Sequence, residues 1–280
     1  MTNTIDPPFP EPILSLRGIC KSYGAVHAVR DVSFDVMAGE VLALCGDNGA
    51  GKSSLIKMIS GAEEPSAGTM WLKGKKVYFR SPAEALEQGV ATVYQDLALA
   101  PRLSIQQNIF LGSELTTPLI GSFFPLLDRA RMAAESRAYL GRLNPTLADV
   151  TRPVQTLSGG QRQAVAIARA LRWNASIIIM DEPTAALGVK ETAQVLDLIR
   201  VLKAEGRTVI LISHTMQDVI ALADRAIILS GGQKIDDVRI NGLTADQLAQ
   251  KISQPNHDPP THNPSTHDPH MPSFTHSSHA

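Results

Sequence analysis

The chain has 280 residues, 44% of them hydrophobic, which is enough for one large domain or two small ones with a sizeable core. Its 26 Lys and Arg against 27 Asp and Glu leave a formal net charge of −1, which excludes a global basic footprint for nucleic acid. Two cysteines, Cys20 and Cys45, exclude a disulfide framework and are expected as small buried hydrophobes in a reducing cytosol. The opening Met1-Thr2-Asn3-Thr4-Ile5-Asp6-Pro7-Pro8 has no basic or apolar region, so no signal peptide is expected. No run approaches the roughly 18 apolar residues of a membrane span. Any work at a membrane is therefore expected to go through a partner.

Residues 1–12 are Pro-rich and read as a flexible arm. Strands are expected over residues 14–19, 32–36 and 41–45, with a turn at Met37-Ala38-Gly39. Val41-Leu42-Ala43-Leu44-Cys45 is continuously apolar, as a strand buried on both faces requires. After a glycine-rich segment, Leu55, Ile56 and Ile59 have helical spacing over residues 52–59. Residues 69–72 and 75–79 flank Gly74 as a hairpin. Ser81-Pro82-Ala83-Glu84 is a helix start: a capping Ser, Pro at the first position, and an acid in the first turn. Residues 91–94 form another expected strand. Residues 97–174 read as an inserted helical subdomain, broken at 121–125 and at Asn144-Pro145. Strands at 177–180, 208–213 and 225–229 then alternate with helices at 190–205 and 215–222. The predicted fold is α/β: a mostly parallel sheet with an antiparallel β subdomain, over residues 13–252. Residues 253–280 hold His257, His262, His267, His270, His276 and His279 among Pro, Ser and Thr. Such a segment buries too little to order itself. It reads as a disordered tail, able to bind Zn or Ni weakly and outside any active site.

Three motifs carry chemistry. Gly46-Asp47-Asn48-Gly49-Ala50-Gly51-Lys52-Ser53 fits the phosphate-loop pattern between a buried strand and a helix. Its glycines let backbone N–H groups turn inward, and the helix adds its positive end. Lys52 would reach the β- and γ-phosphates, and the Ser53 hydroxyl would ligate Mg²⁺. Ile177-Ile178-Ile179-Met180-Asp181-Glu182 describes a central strand delivering carboxylates at its C-terminal edge. Asp181 would hold Mg²⁺ through water, and Glu182 would orient or deprotonate an attacking water. In Leu157-Ser158-Gly159-Gly160-Gln161, Ser158 reads as a helix N-cap, and the glycines are expected to leave the first-turn N–H groups uncovered for a second anion.

Together these motifs resemble the ATP-binding subunits of ABC transporters, over residues 14–252. The resemblance implies a P-loop ATPase with ATP and Mg²⁺ as cofactors. It implies that Tyr23 stacks on adenine and that Gly46, Asp47, Asn48, Gly49, Ala50, Gly51, Lys52, Ser53 and Ser54 bind ATP. Gln95 is implied to touch Mg²⁺ and the attacking water, with Glu182 as catalytic acid–base and His214 sensing the γ-phosphate. The implied Mg²⁺ set is Ser53, Gln95 and Asp181. Leu157, Ser158, Gly159, Gly160 and Gln161 are implied to contact ATP held by a second copy. The loop around Asp47-Asn48 and the run Glu182-Pro183-Thr184-Ala185-Ala186-Leu187-Gly188 resemble importers of ribose, xylose and fructose type. Most of the family has Asp where Gly188 stands, so a usual contact to the opposite subunit is implied to be absent. Each motif occurs once, so the partner domain is expected from a second chain. Transmembrane permease subunits and, indirectly, a periplasmic or extracellular sugar-binding protein are the implied partners, at the cytoplasmic face of the inner membrane. Coupling to the permease is implied for about residues 97–110. A soluble ABC protein of repair or translation is one alternative. A P-loop kinase or GTPase is another, but the Asn-Lys-x-Asp motif of GTPases is not present.

Overall fold

The computed structural model describes residues 12–117 and 126–253. The proposed arm and tail fall outside these residues except for Pro12 and Ser253, and so does the expected break at 121–125.

Strands β1 (Pro12–Tyr23) and β2 (Val26–Met37) form a long antiparallel pair. Strand β3 (Val41–Cys45) is wholly buried, as its continuous apolar run requires, and leads through the glycine-rich loop into helix α1 (Lys52–Ile59). Strands β4 (Ala67–Leu72) and β5 (Lys75–Val77) are the hairpin around Gly74. They complete an antiparallel sheet of order β2-β1-β4-β5. Helix α2 (Pro82–Glu87) is capped by Ser81, whose hydroxyl accepts from the Glu84 N–H. Strand β6 (Val90–Val93) follows.

Helix α3 (Ile105–Phe110), two-residue strands β7 (Thr116–Thr117) and β8 (Leu126–Leu127), and helix α4 (Arg129–Leu143) come next. Asn144 ends α4, where the sequence marked a break. Helix α5 (Gly159–Arg172) leads to strand β9 (Ile177–Asp181), helix α6 (Val189–Ala204), strand β10 (Thr208–Ile212) and helix α7 (Met216–Leu222). Strands β11 (Arg225–Ser230) and β12 (Gln233–Arg239) and helix α8 (Ala245–Ser253) close the described chain.

The main sheet has order β12-β11-β3-β10-β9-β6, parallel except at its β12 edge. Successive side chains of its central strands go to opposite faces. Ala43, Met180 and Leu211 pack with the helices α3, α5 and α6, whereas Leu44, Ile179 and Ile212 pack with α1 and the antiparallel sheet. Both faces are therefore dry, which anchors the C-terminal strand edge rigidly. Register places Leu44, Ile212 and Asp181 side by side, so three connecting loops emerge from one edge.

Cys20 departs from expectation: it is half-buried, whereas Cys45 is buried. The pairing of β1 with β4 shifts register between Arg17 and Cys20, and the Cys20 thiol accepts from the Asp31 N–H at 3.2 Å.

Candidate functional site

The glycine-rich loop is wedged between neighbouring strands. At Gly46, φ is +145°, and a Cβ would lie 2.2 Å from the Leu229 carbonyl oxygen. At Gly51, φ is +99°, and a Cβ would lie 2.6 Å from the Ala28 carbonyl oxygen. Only glycine fits both the backbone conformation and the approach. Helix α1 starts beyond this loop with no side-chain cap and no acid in its first turn, so its positive end faces the loop uncompensated.

Lys52, only 6% exposed, donates from Nζ to the carbonyls of Gly46 at 2.6 Å and Asp47 at 2.9 Å. Burial holds its pKa below the usual lysine range, although Cys45, Glu182, Asp47 and Asp181 pull the other way. Burial likewise pushes the Cys45 thiol up to about 12, so it is an inert neighbour.

At the end of β9 the chain turns sharply. Glu182 has φ +49°, a left-handed conformation that costs a non-glycine residue about 1 kcal/mol or more. Three bonds hold it there: Glu182 N–H to Ile212 carbonyl at 2.9 Å, Ala185 N–H to Glu182 carbonyl at 3.1 Å, and Gln163 Nε2 to Pro183 carbonyl at 2.9 Å. The turn sends the Glu182 carboxylate to His214, whose Nε2 donates to Oε1 at 2.8 Å. Asp181 is held above the usual carboxylate range, first by burial and then by the adjacent Glu182 charge.

Ten of the residues singled out in the sequence line one cavity of about 480 Å³: Asn48, Gly49, Ala50, Gly51, Lys52, Ser53, Ser54, Asp181, Glu182 and His214. Gly46 and Asp47 support it through their carbonyls on Lys52. A second cavity of about 430 Å³ shares Glu182 and contains Gln95, Gly159 and Gln163. Tyr23 is not among the lining residues of either cavity. Its hydroxyl donates to Glu63, and that bond is the first cause holding the Glu63 carboxyl below its usual range. The Lys21 ammonium stands 5.2 Å from the Tyr23 ring centroid.

The second glycine-rich segment differs from expectation. Ser158 does cap α5, in a reciprocal box with Gln161. Yet Gly159 and Gly160 are buried, and the Gly159 N–H donates to Glu191 Oε1 at 2.8 Å. The glycines permit close approach of α6, so the helix start is not bare. Sequence reading also missed Val26, His27, Ala28 and Arg30 of β2 and the turn residue Gly231, which line the first cavity. The Gly231-Gly232 doublet was their available signal: Gly232 N–H donates to Ala50 carbonyl at 3.2 Å, and its own carbonyl accepts from Arg30 N–H at 2.7 Å.

This donor set fits a nucleoside triphosphate. An open helix start, a buried ammonium and a hydroxyl face one cavity, and glycines admit close approach of an anion. Asp181 also fits a divalent cation, because burial and the neighbouring Glu182 disfavour its charge without one.

The described helices include none long and apolar enough to cross a membrane. Solved structures similar to this chain include an ATP-binding cassette of an ABC transporter in its ADP conformation, at TM-score 0.73 and 27% identity, covering 88% of this chain and 96% of that one. Another is a dimeric cassette in a post-hydrolysis state bound to ADP and Pi, at TM-score 0.67 and 26% identity, covering 82% and 100%. Among curated relatives, the fructose import ATP-binding protein FrcA of Rhizobium meliloti is 51% identical over 80% of this chain and 87% of its own length. The xylose/arabinose import ATP-binding protein XylG of Sulfolobus acidocaldarius is 47% identical over 80% and 86%. The ribose import ATP-binding protein RbsA 2 of Streptomyces avermitilis is 40% identical over 87% of this chain but only 47% of its own length. The family model described as ABC transporter matches residues 29–185, and with that match this chain belongs to the ABC transporter family.

Proposed function

We propose that this chain is the ATP-hydrolysing subunit of a monosaccharide importer, with fructose as the leading substrate. The observation that carries the ATPase reading is the meeting of Lys52, Asp181, Glu182 and His214 in one cavity at the C-terminal edge of β3, β9 and β10. The import reading draws on relatives named for fructose, xylose/arabinose and ribose import.

In the proposed reaction, a water oxygen bonds to the γ-phosphorus of ATP while the β–γ bridging P–O bond breaks. Glu182 accepts the water proton, and His214 keeps its carboxylate aimed through the 2.8 Å bond. Gly49 to Ser53 and the α1 start hold the phosphates, with Lys52 turning from the loop carbonyls toward them. Mg²⁺, held by Ser53, Gln95 and Asp181, would supply charge neutralisation at the phosphate oxygens. Tyr23 serves as the adenine platform.

Two copies close head to tail, so that Leu157, Ser158, Gly159, Gly160 and Gln161 of one meet the ATP of the other. A similar solved cassette that is dimeric with ADP and Pi bound supports the pairing of two copies. Bound ATP stabilises the closed pair, and hydrolysis opens it. A groove of about 510 Å³ between α2, β6 and α5, floored by Leu86, Val90, Ala166, Ala170 and Trp173, seats a permease segment beside the coupling stretch 97–110. That contact holds the chain at the cytoplasmic face of the inner membrane, and an external sugar-binding protein feeds the permease.

Labelled-sugar uptake in cells deleted for this chain tests the reading. Fructose uptake is expected to be lost, then restored by the wild-type chain but not by Lys52→Ala. Unchanged uptake of fructose, ribose, xylose and arabinose would overturn it.

A further inference from the structure

The two buried glycines of the Leu157–Gln161 segment point to a link that neither motif contains. A Cβ on Gly159 would lie 2.4 Å from Leu187 Cδ2 and 3.3 Å from Glu191 Oε2. A Cβ on Gly160 would lie 2.7 Å from Gln194 Oε1. The start of α5 is thus pressed onto the first turns of α6. Into that contact Glu191 sends one carboxylate with two tasks. Its Oε1 accepts from Gly159 N–H at 2.8 Å, and its Oε2 accepts from Gly188 N–H at a longer 3.5 Å. A charged acceptor on a backbone N–H is among the stronger hydrogen bonds available.

A second tie lies one turn along the same face of α5. Gln163, 5% exposed, donates from Nε2 to the carbonyl of Pro183, the residue after Glu182. Positions 159 and 163 are four apart, so both ties sit on one helix stripe. One reaches the start of the loop that leaves Glu182, and the other reaches its end at Gly188. The loop that leaves Glu182 and the Leu157–Gln161 segment are therefore tied together at two points.

We propose that Glu191 is a positioning residue: it holds the Leu157–Gln161 segment in register with the Glu182 loop, linking a chain's own ATP site to the site it completes on its partner. The inference rests on the ATPase reading above. Glu191 lines neither of the two cavities that share Glu182; it acts through the Gly159 backbone. A purely structural role as an acid in the first turn of α6 would alter stability alone.

The test uses the full chain with ATP and Mg²⁺ and two variants that keep side-chain volume. Glu191→Met removes the acceptor. Glu191→Gln keeps an amide oxygen that still accepts from Gly159 N–H. At saturating ATP, turnover of Glu191→Met is expected to fall about tenfold, while calorimetric ATP affinity of the single chain stays within twofold. Glu191→Gln is expected to stay within threefold of wild type in both measurements. The proposal is overturned if Glu191→Met keeps turnover within threefold, or if Glu191→Gln falls as far as Glu191→Met. Should Glu191→Met fail to fold, Glu191→Leu serves as the acceptor-free variant, and turnover within threefold of wild type overturns the proposal. A wild-type chain without turnover would instead sink the ATPase reading itself, and the inference with it.

Discussion

Replacing Glu182 by Gln separates chemistry from structure at this site. The amide has the length of the carboxylate and still meets His214 Nε2 across the 2.8 Å contact. It also accepts the same φ of +49°, because the backbone bonds to Ile212 and from Ala185 do not involve the side chain. The change in folding stability should therefore stay within about 1 kcal/mol. What the amide cannot do is accept the water proton. A positioned general base contributes about 10²–10⁴-fold, equivalent to about 2.7–5.4 kcal/mol of barrier at 1.36 kcal/mol per tenfold. Phosphate release at saturating ATP and Mg²⁺ should fall by that factor, with calorimetric ATP affinity preserved. Glu182→Gly is the control, since it relieves the left-handed backbone yet loses the base. It should match the Gln variant in turnover without a large fall in melting temperature. Turnover within tenfold of wild type in Glu182→Gln would refute the general-base role. A parallel loss of ATP affinity would make Glu182 a binding group instead.

Two further outcomes follow from the same geometry. Asp181→Asn should raise the melting temperature of the ATP-free chain at neutral pH. The Asp181 pKa is raised on folding, so its stabilising share is complete below the ordinary carboxylate range and is lost as pH rises through the folded value. The gain from Asn should accordingly vanish in acid, and a gain independent of pH would contradict the cause. Gly46→Ala should destabilise the fold by about 3 kcal/mol or more, since it combines a glycine-only backbone with overpacking against Leu229. At about 2–4 °C per kcal/mol for a domain of this size, thermal melting reads the change directly. An unchanged melting curve would show that the loop relaxes away from β11.

The parts of this molecule visible in its sequence are those where local pattern and tertiary role coincide. Val41–Cys45 could be assigned because both sheet faces are buried, which leaves no polar position in the run. Helix α1 and the Ser81 and Ser158 caps were equally legible, because spacing and cap chemistry are local. Strand β12 was not, since Gln-Lys-Ile-Asp-Asp-Val-Arg lies at a sheet edge with no fully buried side chain. Helix α8 buries only Leu248 and Ile252 and offers too short a stripe. In the site, the course of the glycine-rich loop was legible, and Asn48 to Ser54 do line one cavity. The packing of α6 onto Gly159 and Gly160 was not, because the contacting Leu187, Glu191 and Gln194 lie some thirty residues downstream. The same holds for Cys20, whose half-burial follows from a register shift between strands that composition does not encode.

The central claim is that the two glycine-rich segments complete one site only when two copies meet. Sedimentation of the Glu182→Gln chain with ATP and Mg²⁺ tests it most directly. A stable dimer holding two ATP molecules is predicted, together with a Ser158→Arg partner variant that binds ATP but stays monomeric. A Glu182→Gln chain saturated with ATP and still monomeric would contradict the account.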